Sequence, residues 1–165
     1  MTNLEISDVL VRRLRKEDLE PVIALDARVT GRRREKFFEL KLAQALAHSG
    51  IEVSLAAEVD DVFAGFLLVR VFYGEFGATE KSAVLDTIDV HPDFRGRGVA
   101  NAMLEQLCTN LLGLGIKALQ TEVSWDDQAL LGFFHREGFR PAHRICLDLP
   151  LEEARSRFEA AASLT

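Results

Sequence analysis

Residues 90–107 read VHPDFRGRGVANAMLEQL, and the meaning of this stretch decides the fold. Before it, SAVLDTIDV (82–90) alternates Val84, Asp86, Ile88 and Val90 on one face, the period of a strand. After it, Val99, Met103, Leu107 and Leu111 recur at helical spacing, and Gly113 and Gly115 supply a stop. Between the two lie two glycines, each preceded by an arginine. Glycine takes positive φ at no steric cost and lets a bulky group approach the backbone amides. A helix starting at Gly98 or Val99 leaves its first amides unpaired, and with the helix dipole these form an anion site. Gly98 and Ala100 keep that space clear, and Arg95 and Arg97 add charge at its rim. RGRG alone reads more readily as a basic turn. A strand before it and an apolar helix after it favour a phosphate socket.

Outward from this core the chain alternates regular elements. VLVRRL (9–14) is strand-like, KEDLEPVIALDARV (16–29) is helical with Leu19, Ile23 and Ala27 on one face, and Gly31 ends it. RRREKFFELKLAQALAH (32–48) is a second helix, expected to bury Phe37, Leu40, Ala43 and Leu46 or Ala47. IEVSLAAEV (51–59) and VFAGFLLVRVFY (62–73) are strands joined by an Asp60-Asp61 hairpin turn, and GEFGATEK (74–81) is a loop. Downstream, IKALQTEV (116–123) is a strand and DDQALLGFFHRE (126–137) a helix. GFRPAHRICLDL (138–149) is expected to return as one or two strands before a short amphipathic tail. Hairpins followed by alternating strands and helices predict an α/β (α+β) mixed sheet covered by helices.

The 165 residues are expected to form a single domain spanning 1–165. With 48% hydrophobic and 28% charged residues the composition is that of a soluble globular protein. A formal net charge of -6 opposes non-specific nucleic-acid binding. Cys108 and Cys146 lack both a disulfide framework and metal-ligand spacing, so no metal is expected; both are read as inert core thiols. MTNLEISDVLVRR has no apolar core of a signal peptide, and VFAGFLLV is far too short to span a bilayer. The expectation is a cytoplasmic protein with no membrane partner.

The stretch VHPDFRGRGVANAMLEQL resembles motif A of the GNAT superfamily of acyl-CoA-dependent N-acetyltransferases, whose Arg/Gln-x-x-Gly-x-Gly/Ala hallmark is met by Arg95, Gly98 and Ala100. DDQALLGFFHREGFRP resembles motif B, a helix ending in Gly138-Phe139, with the amino-terminal strand and two helices also in place. The resemblance implies the GNAT fold, with its central strands splayed to admit the pantetheine arm of acetyl-CoA. It implies that the backbone of Ile88, Asp89 and Val90 pairs with that arm, and that the amides of Gly96, Arg97, Gly98, Val99 and Ala100 hold the pyrophosphate, with Arg95 alongside. It implies direct attack of an amine on the thioester, with no acyl-enzyme. A possible homodimer also follows, since dimers are frequent in that family.

Such chemistry needs a base, donors for the oxyanion and a partner for the departing thiolate. Asp86 is the first candidate for the base, on the strand that lines the cleft; by alternation Asp89 faces the other way unless a bulge re-aims it. Glu122 is a second candidate, and a backbone amide near Asp89 or Val90 is the oxyanion donor. Many family members carry a tyrosine acid four residues before the glycine of motif B. Here that position is Phe134, which has no proton to give, and Tyr73, the sole tyrosine, is distant in sequence. Asp126 stands where the family often has an asparagine at the cofactor, and a helix cap explains it equally. The basic run 32–36 reads as a solvated face, a docking surface or a contact to the 3′-phosphate; Glu75 and Glu80 are acidic loop residues that would favour a cationic amine. The function expected is acetyl transfer to a primary amine of a small molecule, peptide or protein. The alternative is a GNAT-fold module that binds acyl-CoA without turnover.

Overall fold

A computed structural model describes residues 8–47, 53–74, 77 and 79–162. The chain divides into two compact units, Met1–Asp127 and Gln128–Thr165.

The first unit is built on a five-stranded sheet in the order β1-β2-β3-β4-β5. β1 (Leu10–Arg13), β2 (Leu55–Val59), β3 (Val62–Tyr73) and β4 (Lys81–Val90) pair antiparallel in turn, and β5 (Leu119–Thr121) joins β4 in parallel. The mixed sheet expected from the sequence is present. Asp60 and Asp61 form the β2–β3 turn at φ 51° and 61°, the left-handed pair that a two-residue hairpin requires. The first part of the segment expected as a strand over 51–59 differs: Val53 and Ser54 precede β2 as irregular chain, and 51–52 lie outside the described residues.

α1 (Leu19–Thr30) and α2 (Glu35–Ala47) cover one face of this sheet, joined through Gly31 at φ 73°. Val22, Ile23 and Leu25 of α1 and Phe38, Leu42 and Ala45 of α2 close a core over Ala56, Phe66 and Leu68. The inward face of α2 is therefore one step away from the expected one, because Leu40 is exposed and Phe37 only half covered. The adjacent Phe37 and Phe38 offer two apolar stripes, and packing selects Phe38. Its ring meets Phe66 edge-on at 5.8 Å between centroids, a contact that adds about 1 kcal/mol to the burial itself. α3 (Val99–Gly113) covers the opposite face with Val99, Met103, Leu104, Leu107 and Leu111. Cys108 follows Leu107 but is exposed, as is Cys146, so neither is a core thiol.

The second unit contains α4 (Gln128–Arg136) and α5 (Leu151–Ala162). The strands expected over 138–149 are absent: every residue from 140 to 149 is exposed and irregular. The alternation of Ile145, Leu147 and Leu149 satisfies β-propensity, but propensity makes no strand without a partner to complete the ladder.

Candidate active site at the end of β4

Two local features of β4 shape the site. The first is a bulge. Leu68 opposes Thr87 and Val69 opposes Leu85, which leaves Asp86 as the extra residue on β4. Strict alternation would put Asp86 and Asp89 on opposite faces. With the bulge between them both turn toward α1 and α2: Asp86 reaches Lys41 of α2, and Asp89, directly across from Phe66, approaches Asp26 of α1.

The second feature is a divergence. β5 pairs with β4 only from Ala83 to Leu85, and Thr121 closes the contact by donating to the Leu85 carbonyl at 3.0 Å. β4 continues to Val90, so the edge of Asp86–Val90 that β5 leaves has no strand partner among the described residues. Its amides and carbonyls are free to pair with an extended ligand.

This open edge runs into the glycine turn. The His91 amide extends the ladder by donating to the Ala64 carbonyl at 2.7 Å, and its Nδ1 accepts from the Asp93 amide at 3.2 Å. His91 is thus a turn residue. A short 3-10 turn, Pro92–Phe94, leads to Gly96 at φ 74° and Gly98 at φ 78°, and a Cβ at either would meet nothing within 4 Å. The turn borders open space. The first bond of α3 runs from the Ala102 amide to the Gly98 carbonyl at 2.9 Å, so the amides of Val99, Ala100 and Asn101 have no acceptor inside the helix. Gly98 caps the helix without a side chain. Arg95 and Arg97 are exposed at the rim, Arg97 lying over the Phe94 ring at 5.5 Å. Open space, free amides and the helix dipole are the features that suit an anion.

On the inner side of the turn the backbone is tightly packed. A Cβ on Gly65 would lie 3.0 Å from the Asp89 carbonyl, 3.0 Å from Met103 Cε and 3.1 Å from Val99 Cγ1. Only glycine lets the start of α3 sit this close to β3 and β4.

The candidate acids differ sharply in their surroundings. Asp86 is tied up: Arg70 donates to both its oxygens at 2.6 and 2.8 Å, and Lys41 lies 3.3 Å from Oδ2. Asp89 is enclosed without a cation of its own, and its Oδ2 is buried with no hydrogen-bond partner. Burial, followed by the charge and hydrogen bond of Asp26, pushes Asp89 up to about 6, against the opposing pull of Arg34 and Arg95. Asp26 is fully buried and held by Arg34, whose Nε donates to Oδ2 at 2.9 Å and Nη2 to Oδ1 at 2.5 Å. Thr30 Oγ1 donates to the Asp26 carbonyl at 2.8 Å, and the Arg34 guanidinium also stacks on Phe37 and Phe38 at 4.8 and 5.4 Å.

Sequence reasoning passed over Asp26 and read Arg34 only as part of the basic run 32–36, not as its partner. Asp26 lies three and four positions beyond Ile23 and Val22, on the face that must be buried. A carboxylate there requires a partner, and that requirement was the available signal. The basic run divides accordingly: Arg34 is the counter-ion of Asp26, and Arg33 pairs with Glu20 and Glu35 at the surface.

The remaining candidates lie elsewhere. Glu122 is exposed just beyond β5. Asp126 sits in the turn before α4 and accepts a bond from Ser124 Oγ. Phe134, in the second unit, is buried between Phe133 and Phe139 at ring distances of 5.2 and 4.8 Å. Tyr73 pairs with Lys81 at the opposite end of β4 from Val90, about 26 Å along the strand. Glu80 pairs with Lys117 at 3.0 Å, and Glu75 lies outside the described residues. Among the described residues no group of three or more His, Cys, Asp or Glu is arranged to hold a metal ion, and no helix is long and apolar enough to cross a membrane.

A bulged fourth strand that parts from its parallel neighbour and runs through a glycine turn into a helix start is the frame of this site. Residues 10–139 match the Acetyltransferase (GNAT) family, and the chain belongs to that family. Solved structures share the fold. Aminoglycoside acetyltransferase AAC(6')-Iy, in complex with the bisubstrate analogue CoA-S-monomethyl-acetylneamine, superposes with a TM-score of 0.71 at 20% identity, over 87% of this chain and 98% of that one. The ribosomal-protein-S18-alanine N-acetyltransferase of Escherichia coli gives 0.67 at 23% identity, over 82% and 79%. Arabidopsis thaliana Naa50, bound to the bisubstrate analogue CoA-Ac-MVNAL, gives 0.67 at 19% identity, over 86% and 91%.

Proposed function

We propose that this chain is a single acyltransferase domain that moves an acetyl group from acetyl-CoA to a primary amine by direct attack. The observation that carries the reading is the free edge of β4 running into the open glycine turn. An extended pantetheine arm pairs with the backbone of Ile88, Asp89 and Val90. The pyrophosphate rests on the amides from Gly96 to Ala100 other than that of Arg97, which donates to the Phe94 carbonyl at 3.3 Å, with the Arg95 and Arg97 side chains adding charge. An amide near Asp89 or Val90 receives the oxyanion, and Asp126 and Phe134 remain candidate contacts to the cofactor. The relatives above act on an aminoglycoside, a ribosomal-protein alanine and a peptide, as their ligands and names state. That range supports an amine acceptor and leaves small molecule, peptide and protein all in the substrate class. A thiol-release assay over a panel of these amines tests the reading. Acetyl-CoA-dependent release with at least one class is expected, and tight CoA binding with no release for any of them overturns it.

One observation favours a second reading, an acyl-CoA sensor without turnover: Phe134 occupies the place of the family's usual tyrosine acid and has no proton to give. Under either reading the proposed setting is the cytoplasm, and the exposed row Ile145, Leu147 and Leu149 supports a homodimer in which a second copy covers it. Light scattering over a concentration series decides the oligomeric state.

A further inference from the structure

We infer that Asp89, rather than Asp86, takes the proton from the incoming ammonium, and that Asp26, clamped by Arg34, is the positioning residue that prepares it. This rests on the acetyltransferase reading above and names the group that performs its proton transfer.

A proton acceptor must have an oxygen free to receive a donor. Neither oxygen of Asp86 qualifies, because Arg70 occupies both and Lys41 crowds the second. Asp89 Oδ2 is the converse, a buried carboxylate oxygen lacking the donor its chemistry demands. An ammonium nitrogen supplies what is missing: a hydrogen-bond donor and a positive charge. Its own amide and carbonyl face Phe66 on β3, but its neighbours Ile88 and Val90 turn theirs to the free edge, so the side chain that lacks a donor lies between the two residues that can pair with the donor arm.

The charges around Asp89 come from three elements. Asp26 on α1 disfavours its ionisation, while Arg34 at the α1–α2 junction and Arg95 in the glycine turn favour it. Arg34 is committed in two bonds to Asp26, so Asp89 faces a carboxylate already matched by its cation. Burial and the neighbouring charge of Asp26 favour a proton on Asp89 against the pull of Arg34 and Arg95. An acceptor of this kind, pushed up to about 6, is largely free of its proton at neutral pH and still basic enough to take one.

The ammonium N–H passes its proton to Asp89 Oδ2, and the released lone pair forms the bond to the thioester carbonyl carbon. On collapse the C–S bond breaks and sulfur leaves with the electron pair, taking the second proton shed by nitrogen. Amide and thiol are the products, and the proton on Asp89 returns to solvent.

The test begins with Asp89→Asn, which is expected to lower kcat by about 100-fold or more at unchanged CoA affinity, with Asp89→Glu restoring part of the loss. Asp26→Asn is expected to move the acid limb of the kcat/KM profile below its position near pH 6, because a neighbouring charge that raises Asp89 is gone while its burial remains. A merely structural role for Asp26 would change stability and leave the limb in place. If Asp26→Asn does not fold, carbon-13 NMR titration of the Asp89 carboxyl in the unmodified protein decides: a midpoint near 6 supports the assignment, and one near 4 overturns it. No turnover in the unmodified protein defeats the acetyltransferase reading. Turnover that survives Asp89→Asn defeats only this assignment.

Discussion

Asp86 and Arg70 form a two-pronged ion pair, with Nε and Nη2 donating to the two carboxylate oxygens at 2.6 and 2.8 Å. Arg70 lies on β3 and Asp86 is the bulge residue of β4, so the pair fastens the bulge at the point where the strand changes its aim. Asp86→Asn leaves Arg70 and Lys41 facing an amide in place of a carboxylate. The expected result is a loss of about 1 kcal/mol of stability, since Arg70 is partly solvated, with kcat held to within about threefold. Urea unfolding beside steady-state kinetics checks both. A large fall in kcat with intact CoA binding would return the base role to Asp86.

Gly98 carries the left-handed turn into α3 at φ 78°, with open space where a Cβ would stand. Gly98→Ala therefore meets no protein atom, but strains the backbone by about 1 kcal/mol and places a methyl group in that space. CoA affinity is expected to fall about tenfold by calorimetry, while affinity for pantetheine, which lacks the pyrophosphate, stays the same. Equal losses for both ligands would mean that this space is not where phosphate rests.

The shape of the glycine turn was legible from the sequence because it resides in backbone conformation and a helix start, which Gly96, Gly98 and the α3 pattern specify locally. β3 was equally legible, because its long apolar run is rich in β-formers and is buried on both faces over 64–69. The orientation of Asp89 was not legible. It depends on a bulge, and a bulge is a relation between Leu68 and Thr87 on different strands, which no single strand's alternation encodes. Asp26 and its pairing with Arg34 were missed for the same kind of reason, since they meet Asp89 only after α1 and α2 dock on β4. The segment 138–149 shows the opposite error, where strand composition led to an expectation that no partner fulfils.

Asp89 also gives folding a pH dependence of definite sign. Its folded value is raised from 3.8 to about 6, so the native state binds the proton more tightly than the unfolded chain does. The contribution is fully stabilising below about pH 4 and is lost as pH rises through 6, by at most about 3 kcal/mol. Asp89→Asn keeps the shape and removes the titration. The variant is expected to be more stable than the parent at pH 8 by a substantial part of that amount, and close to it at pH 4. Thermal or urea unfolding at the two pH values measures the difference. A variant less stable at pH 8 would show that the buried carboxylate is better compensated than Arg34 and Arg95 alone allow.

Gly65 joins the two halves of the site, because it lies under the start of α3 on one side and against the Asp89 carbonyl on the other. For Gly65→Ala the methyl group would have to displace three neighbours of unequal give. The Met103 methyl can swing aside, Val99 is stiff at its branched Cβ, and the Asp89 carbonyl is backbone held opposite Phe66. The overpacking is expected to cost about 2 kcal/mol and to part β4 from α3, so that CoA affinity and the acid limb of kcat/KM change together. Gly113→Ala at the far end of the same helix is the control, since its Cβ meets nothing within 4 Å and needs no left-handed backbone. It should gain about 0.5 kcal/mol with CoA binding and the pH profile unmoved. If Gly65→Ala lowers stability but leaves both functional readouts where they were, the close packing at Gly65 serves the core alone, and the glycine turn and Asp89 are not mechanically joined through it.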